Sequence, residues 1–550
     1  MKKFSKILIF VLAASMCLSG CGNSEKDKKA SLGTVIEDKN VTAPGELPIV
    51  KEKIRLSLAI ASSNEVQDYK TNAYTKWIEE KTGIGIDFNV MVNLQQKIKV
   101  MLAAGDKLPD MVFNGGIGDD LLIKYGVNGT KTFIDLGGYM DKYGYWLNDM
   151  MEKTVAENPK KQLYTSDDAR YGMPALIEQT GNIYPQKAWI NKTWLANLGL
   201  EIPTTTEEFE KVLTAFKTQD PNGNGKADEL GVTGYSNGWC SIPYHFLMNS
   251  FIYDDDVKNV VITDDNKVKS IWFDPEYKAG LEYLNSLCKK GLYDDQSFTQ
   301  GKAEMQAIMN MKDNIVGVIT GGDADSIFDS KPERMAEYTP LPPLKGPKGI
   351  AWAGRGSMTI TKVGFVTKYC EHPLAAFRLM DYMLSSESSI FTRFGVEGKD
   401  WKKAGENDIA MFGDSLGAKA TIVSILPFGQ PQNSNWCLGT PYFIDAETVD
   451  GMAWNGDPYN GEKFKADALK AYIGKGPKKV FDTASYTLDE MEELSFIEAQ
   501  IKQHAQQEIP KFILGRRSLD EYDKFLEELN KMDMERYIKL LQSGYDRMHK

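Results

Sequence analysis

Early in the chain, segments with the hydrophobic period of β-strands alternate with segments of helical period. Residues 54–60, 84–90 and 108–113 have the apolar pattern of strands, whereas 73–81 and 94–104 place apolar side chains on one face of a helix. A glycine follows the first helix and marks its end. The order β-α-β-α-β predicts a parallel sheet with helices on its faces, in which ligands bind beyond the carboxyl ends of the strands.

The amino-terminal segment has the layout of a secretory signal. Lys2, Lys3 and Lys6 precede an apolar run at 7–18, which is too short for a transmembrane helix because such a helix needs about 20 apolar residues. The run ends in Leu-Ser-Gly-Cys, which resembles a bacterial lipobox, so we expect cleavage before Cys21 and lipidation of that cysteine. A plain signal peptide, cut at another small residue, is the alternative.

The predicted location follows from this segment. Residues 1–20 are assigned to the lipoprotein signal peptide, and the polar segment 21–49 is predicted to be a lipidated flexible tether. No later segment is apolar enough to cross a bilayer. The body is therefore predicted to be held by lipid on the outer face of the cell membrane, in an arrangement that resembles that of Gram-positive bacteria.

Composition narrows the class of protein. The 550 residues include 76 Asp+Glu and 65 Lys+Arg, and 42% are apolar, which fits a soluble protein of about two to four domains. The acidic balance, without a basic patch, argues against nucleic acid as a partner. The cysteines of the body are few and widely spaced and no C-x-x-C occurs, so free thiols are favoured and zinc is disfavoured.

One loop has the oxygen pattern of a calcium site. Segment 220–229, Asp-Pro-Asn-Gly-Asn-Gly-Lys-Ala-Asp-Glu, places oxygen-bearing side chains at positions 1, 3, 5 and 9 and glycine at position 6, as the first part of an EF-hand does. Gly231 stands where a complete EF-hand has its bidentate glutamate, so a complete EF-hand is excluded. The alternative is an Asn-Gly-rich turn without an ion.

Motifs typical of enzymes are weak in this chain. The segment 413–417, Gly-Asp-Ser-Leu-Gly, matches G-x-S-x-G, but the residues before it are mostly polar, so a loop is predicted rather than a nucleophile elbow. No Walker A loop, H-E-x-x-H or G-x-G-x-x-G occurs. The paired carboxylates of a glycosidase need only be close in space, and the sequence does not exclude them. We expect a protein that is not an enzyme.

Several segments resemble, in order along the chain, motifs of the extracellular solute-binding proteins (family 1) of ABC importers. They are KLPDMVF at 107–113, YGMPA at 171–175, WINKTWLANLGL at 189–200, PTTTEEF at 203–209, HPLAAFRLMDY at 372–382, GVEGKDW at 395–401 and ILGRRSLDEY at 513–522. The resemblance extends over nearly all of 50–548. It is closest to the large lipoprotein subgroup that binds oligosaccharides, which includes the alginate-binding proteins.

The resemblance implies an α/β fold of two lobes like those of periplasmic binding proteins, each a sheet flanked by helices, joined by a hinge of crossing segments. It implies that 50–178 and 321–362 form the first lobe and that 179–320 and 363–550 form the second. The C-terminal helices are expected to pack partly across both lobes. Binding would close the lobes around a ligand, which is a hinge motion.

The resemblance also implies a function. The expected protein is a lipid-anchored, monomeric substrate-binding subunit that captures a carbohydrate, expected to be an oligosaccharide, without covalent chemistry. It would deliver this ligand to the permease subunits of an ABC importer. The alternatives are a surface-anchored glycan-degrading enzyme and a ligand-sensing lipoprotein that partners a membrane receptor.

Sugar rings stack on aromatic side chains, and their hydroxyls need polar partners. The candidate ligand residues are aromatic residues in irregular segments, an arginine beside one of them, and polar residues at predicted strand ends or crossovers: Trp239, Tyr244, Trp352, Trp436, Arg355, Asn114, Glu178 and Asp323. The arginine could pair with the carboxylate of an acidic sugar, or bond hydroxyls or a neighbouring aspartate.

The alginate-binding proteins that the chain resembles have a loop with the same oxygen pattern as segment 220–229. In those proteins an adjacent Asp-Glu pair completes the calcium shell. The resemblance therefore implies a structural Ca²⁺ held by Asp220, Asn222, Asn224, the Lys226 carbonyl, Asp228 and Glu229.

Overall fold

The computed structural model describes residues 33–322, 325–328, 332–426 and 430–550. The predicted signal peptide, the predicted lipidation site Cys21 and the candidate ligand residue Asp323 lie outside the described residues. Within the described parts, none of the helices combines the length and the apolar character that a membrane crossing requires.

Strands and helices alternate along most of the described chain. The strands are β1 (Ile54–Ala61), β2 (Ile84–Met91), β3 (Met111–Phe113), β4 (Gly172–Ile177), β5 (Lys187–Asn191), β6 (Leu230–Thr233), β7 (Val260–Ile262), β8 (Val268–Ser270), β9 (Val316–Gly321), β10 (Tyr338–Leu341), β11 (Thr361–Val366), β12 (Trp401–Lys403), β13 (Ile422–Ser424) and β14 (Tyr442–Ile444). The α-helices are α1 (Ala73–Thr82), α2 (Leu94–Ala104), α3 (Asp119–Tyr125), α4 (Gly137–Tyr143), α5 (Tyr145–Lys153), α6 (Pro159–Gln162), α7 (Lys192–Leu198), α8 (Thr206–Thr218), α9 (Pro243–Met248), α10 (Pro275–Lys289), α11 (Lys302–Met309), α12 (Asp325–Phe328), α13 (Pro373–Met383), α14 (Ser386–Phe394), α15 (Gly413–Leu416), α16 (Ala446–Asp450), α17 (Gly461–Leu469), α18 (Leu488–Ile513), α19 (Tyr522–Lys531) and α20 (Met534–His549).

The first lobe is built on a six-stranded sheet in the order β14-β4-β11-β3-β1-β2. Strand β1 pairs in parallel with β2 and β3, with Ile54 opposite Ile84 and Leu58 opposite Met111. Strand β11 runs antiparallel to β3 and β4. Helices α1 and α2 connect the first three strands, so the β-α-β-α-β unit and its parallel pairing are confirmed.

Side-chain caps set the limits of two helices that the sequence predicts. Asn72 accepts a hydrogen bond from the Tyr74 N–H at the start of α1, and Gly83, at φ 76°, ends that helix in the left-handed region that favours glycine. At the start of α8, Thr205 accepts from the Glu208 N–H while the Glu208 carboxylate accepts from the Thr205 N–H. This capping box explains why the PTTTEEF segment begins a helix.

The second lobe is built on a four-stranded sheet in the order β10-β5-β9-β6. Strand β5 runs antiparallel to both β10 and β9, and β6 runs parallel to β9. Trp189 of β5 stacks on Phe464 of α17, with ring centroids 5.3 Å apart. Helices α18 to α20 contribute Ile501, Phe512 and Leu541 to the same core, so the C-terminal helices belong to this lobe.

Within the described residues the chain passes between the lobes several times. It leaves the first lobe after β4, returns between β10 and β11, packs residues 411–418 against the second lobe's core between α14 and β14, and leaves the first lobe again after β14. The assignment of 321–362 to the first lobe is wrong because β10 pairs with β5. The assignment of all of 363–550 to the second lobe is wrong as well, because β11 pairs with β3 and β4 and the helices α13 and α14 pack in the first lobe's core.

The described segment that precedes β1 is folded onto the first lobe. The Gly33 N–H donates to the Asp135 carboxylate at 3.0 Å, and the Tyr139 hydroxyl accepts from a backbone N–H of the segment at 3.0 Å. Ile49 is fully buried in the first lobe's core. The prediction of a flexible tether is therefore wrong for 33–49, because its backbone groups find partners on the lobe despite the polar composition.

The C-terminal helices also contact the first lobe. Helix α18 lies against α3, and the Lys161 side chain of α6 donates to the backbone carbonyl of Met548 at 3.3 Å. These contacts join the two lobes in addition to the connecting segments. Lobe motion must therefore move or break them.

Candidate functional site

A cavity of about 610 Å³ lies between the two lobes. The end of α14 and the loop 430–437 form its first-lobe wall, the start of α17 and residues 411–412 form its second-lobe wall, and Gln179 enters from the first connecting segment. Its size falls within the range of about 300–1,000 Å³ that is common for small-molecule pockets. The described lining residues are Gln179, Arg393, Phe394, Met411, Phe412, Ser424, Ile425, Leu426, Gln430, Gln432, Asn435, Cys437, Val449, Met452, Ala453, Asn455, Asn460 and Glu462.

Glu462 is held at the cavity wall by two side chains. It lies in the first turn of α17, where the helix dipole favours a carboxylate. The Lys465 Nζ donates to Oε1 at 2.8 Å, and the Gln179 Nε2 donates to Oε2 at 3.3 Å. Because Gln179 lies on a connecting segment, Glu462 ties the second lobe to the hinge.

Arg393 is the positive side chain of the cavity and belongs to the last turn of α14. Burial lowers the pKa of Arg393 to about 10, and Glu462 is the foremost group acting in the opposite direction. The guanidinium is therefore charged at neutral pH. The cavity thus receives one cation from the first lobe and one anion from the second.

Amide and aromatic side chains complete the lining. Six residues carry amides: Gln179, Gln430, Gln432, Asn435, Asn455 and Asn460. The ring of Phe412 lies against the first connecting segment at Gly181, where a Cβ would come within 3.2 Å of the ring. Amides both donate and accept hydrogen bonds, and aromatic rings offer apolar faces. This lining suits a ligand with many hydroxyls and some apolar surface.

Two of the predicted ligand residues are buried away from any cleft. Trp436 is 1% exposed, and its Nε1 donates to the Thr75 hydroxyl at 2.8 Å inside the first lobe's core. Glu178 is also buried and accepts from the Thr154 hydroxyl at 2.6 Å and the Val155 N–H at 2.9 Å. The prediction that these two side chains contact ligand is wrong, because tertiary packing covers both.

Tyr244, Trp352 and Arg355 lie in the second lobe and are not among the residues that line the cavity. Tyr244 packs against the core and stacks on Phe298, with ring centroids 6.1 Å apart. The Arg355 guanidinium donates to the backbone carbonyl of Pro477 at 2.9 Å, so it serves a loop contact rather than a carboxylate. Trp352 is partly exposed, and its contact with a ligand stays a prediction.

Trp239 and Asn114 lie beyond the carboxyl ends of the two sheets. Trp239 is 47% exposed, and its indole covers Gly322, where a Cβ would come within 2.5 Å of the ring. Asn114 directly follows β3 and is exposed. Neither lines the cavity, so their contact with ligand stays a prediction.

Sequence reasoning missed the residues that form the cavity walls. Arg393 and Phe394 lie at the end of a helix that has an ordinary amphipathic pattern, and Phe412 lies in an irregular segment. The one usable signal was the amide-rich run Gln-Pro-Gln-Asn-Ser-Asn at 430–435. Only Trp436, which directly follows this run, was singled out, and it proves to be a core residue.

The G-x-S-x-G segment forms the short helix α15 rather than the predicted loop. The Ser415 hydroxyl contacts the carbonyl of Phe412 at 3.5 Å. The residues before the helix form an isolated bridge at Ala410 instead of a strand. This differs from the strand-to-helix turn that a nucleophile elbow needs.

The predicted calcium loop closes around Asp220. Its two carboxylate oxygens accept from the Asn224 N–H at 3.1 Å and the Gly225 N–H at 3.0 Å. The Asn224 side chain accepts from the Lys226 N–H at 2.8 Å and donates to Asp228 at 3.2 Å. Gly225, at φ 76°, adopts the left-handed conformation that the sharp turn requires. The predicted oxygen donors are thus gathered in one tight loop.

Glu229 is the most informative donor of this loop. It is buried, and its Oε1 has no hydrogen-bond partner among the described atoms. Burial raises the pKa of Glu229, and the charges of Asp228 and Asp220 act in the same direction. In the described chain no three His, Cys, Asp or Glu side chains meet closely enough to hold a metal by themselves, so a shell here needs amide and carbonyl oxygens too. That mixed oxygen set fits Ca²⁺.

The family model described as "Bacterial extracellular solute-binding protein" matches residues 62–390, which is more than half of the chain. The chain belongs to this family. The family resemblance and the two-lobed fold class expected from the sequence are therefore confirmed. The described fold is that of an extracellular solute-binding protein.

Known relatives of this solute-binding protein match most of its length. The "Fructooligosaccharide ABC transporter substrate-binding protein FusA" of Streptococcus pneumoniae is 27% identical over 563 residues, covering 99% of this chain and 98% of that protein. "Lipoprotein LipO" of Bacillus subtilis is 24% identical, covering 71% and 72%. The solved structure of the alginate-binding protein AlgQ2 without calcium ion is 17% identical, with a TM-score of 0.60 over 90% of this chain and 99% of that one.

Proposed function

We propose that this solute-binding protein captures a carbohydrate, specifically an oligosaccharide, between its lobes and delivers it to the permease of an ABC importer. The observation that carries the proposal is the cavity between the lobes with its amide-rich lining. The relative FusA, which matches nearly the whole chain, is named as a fructooligosaccharide-binding protein of such a transporter. In this role the chain binds and releases ligand without covalent chemistry.

The chemistry of the lining supports a sugar ligand. Each hydroxyl can donate and accept, and an amide side chain offers both partners in one plane. Phe394 and Phe412, which are only 4% and 1% exposed, add apolar atoms to the cavity wall. Because the walls come from different lobes, closure would bury most of a bound ligand.

A ligand screen tests this function. We expect one class among neutral and uronic oligosaccharides to stabilise the mature protein in a thermal-shift assay and to bind in calorimetry. Ligand at 100 times its Kd contributes about 2.7 kcal/mol to stability. Peptides of similar size serve as the negative set. Stabilisation by peptides alone would contradict the proposal, and sugar cleavage detected by chromatography would support the alternative of an enzyme.

The loop at 220–229 is proposed to hold a structural Ca²⁺. The buried Glu229 carboxylate and the gathered oxygens of Asp220, Asn222, Asn224 and Asp228 support this. The carbonyl of Lys226 would complete the shell. The ion would offset the carboxylate charges and hold the loop that joins α8 to β6.

Calcium removal tests the loop. We expect EDTA to lower the Tm of the wild type and added Ca²⁺ to restore it, because the ion binds the folded loop only. The variant E229Q should lose this EDTA response, whereas E201Q, which changes an exposed glutamate outside the loop, should keep it. An equal EDTA response in wild type and E229Q would contradict the assignment.

The protein is further proposed to be lipid-anchored at Cys21 on the outer face of the cell membrane and to act as a monomer. The lipobox-like Leu-Ser-Gly-Cys supports the anchor, and the relative LipO is named a lipoprotein. Release of the C21S variant from the membrane fraction into the medium would support the anchor, and retention would contradict it.

A further inference from the structure

We propose that Glu462 and Arg393 together set the charge selectivity of the cavity, so that it takes uncharged oligosaccharides and rejects those that carry carboxylate or sulfate groups. This inference rests on the proposed carbohydrate function and adds the class of carbohydrate. Among the described lining residues these two alone carry a charge, and their charges are opposite.

Glu462 is a fixed acceptor. Its two oxygens are engaged by Lys465 at 2.8 Å and Gln179 at 3.3 Å, so the carboxylate cannot swing out of the cavity without breaking both contacts. A carboxylate that keeps further lone pairs accepts well from sugar hydroxyls, because hydrogen bonds to charged groups are stronger than neutral ones. The same charge repels a ligand anion placed beside it.

The positive charge of Arg393 is offset by neighbouring carboxylates before any ligand binds. Of the groups acting on the guanidinium, Glu462 contributes the largest favourable interaction and Glu65 a smaller one. Both are carboxylates, so the charge of Arg393 already has partners of opposite sign within the protein before a ligand binds. A uronic carboxylate would lose its hydration and gain no unopposed counter-charge.

The test measures selectivity rather than affinity alone. Calorimetry would compare neutral trisaccharides (kestose, maltotriose, cellotriose) with trigalacturonate and an alginate trisaccharide, on the wild type, E462Q and R393Q. We expect the wild type to prefer its best neutral sugar over its best uronate. E462Q should shift the ratio of the two affinities toward the uronate by about 10- to 100-fold, and R393Q should shift it the other way.

Opposite shifts separate a charge effect from a structural one, since a loss of folding would weaken both ligands alike. The matched control is E447Q, which changes an exposed glutamate in the first turn of α16 and should leave the ratio unchanged. A wild type that binds uronates as tightly as neutral sugars, or an unchanged ratio in E462Q, would overturn the inference while leaving the carbohydrate function intact. Binding of no sugar in the set would overturn both.

Discussion

Replacing Trp436 by alanine is expected to lower the free energy of unfolding by about 3–5 kcal/mol. The indole is among the largest fully buried side chains, and it meets the rings of Tyr74 and Phe88 at centroid distances of 5.0 and 5.3 Å. The substitution would also remove the Nε1–H that donates to the hydroxyl of Thr75. Urea unfolding followed by far-UV circular dichroism measures this loss.

Trp239 provides the matched control for Trp436. Its indole is 47% exposed, so W239A is expected to change stability by less than about 1 kcal/mol. If this indole is a sugar platform, W239A should weaken ligand binding while W436A should not do so once the protein is folded. Equal losses of stability in the two variants would contradict the assignment of Trp436 to the core.

The variant H245Q is expected to lower the free energy of unfolding by a similar amount, about 3–5 kcal/mol, because it removes one partner of a buried ionic cluster. His245 is 6% exposed, and its two ring nitrogens contact Asp254 at 2.8 Å and Asp256 at 2.6 Å. Burial alone would lower the pKa of His245, but the two aspartates more than offset it and raise the pKa to about 10.

The raised pKa of His245 predicts a pH dependence with a definite sign. An unfolded histidine has a pKa of about 6.5, so the stabilisation is fully present below that pH and is lost as pH rises toward 10. Unfolding free energies measured across this window should fall for the wild type and change less for H245Q. H372Q, which alters a partly exposed histidine, should keep the wild-type slope.

Local patterns predicted the parts of the fold whose partners are close in sequence. The strands and helices between 54 and 113 followed from periodicity, although β3 begins at Met111 rather than at the predicted position 108. The loop at 220–229 was recognisable because its oxygen-bearing residues lie within ten positions. The lobe boundaries near 321 and 362 were wrong because they depend on which distant strand β10 and β11 pair with. The hydrophobic period of a strand does not report which distant strand it pairs with.

The candidate site shows the same division. Trp436 follows a polar run and had the context of an exposed loop, but neighbours more than 350 positions away, Thr75 and Tyr74, bury it. Arg393 and Glu462 come from separate helices and acquire a shared role only when the lobes bring α14 and α17 to one cavity. A surface-like amphipathic pattern does not distinguish a helix that faces solvent from one that faces a ligand.

The docking of residues 33–50 on the first lobe has a mechanical consequence. If the protein is anchored at Cys21, a force from the membrane reaches the described body near Gly33 and acts on the first lobe, so the second lobe is the one that moves relative to the membrane. Residues 21–32 would then be the whole connection to the lipid, and a segment of that length cannot span more than about 40 Å. Such a short connection would confine the protein to a thin layer above the bilayer and raise its effective concentration at a membrane-embedded partner.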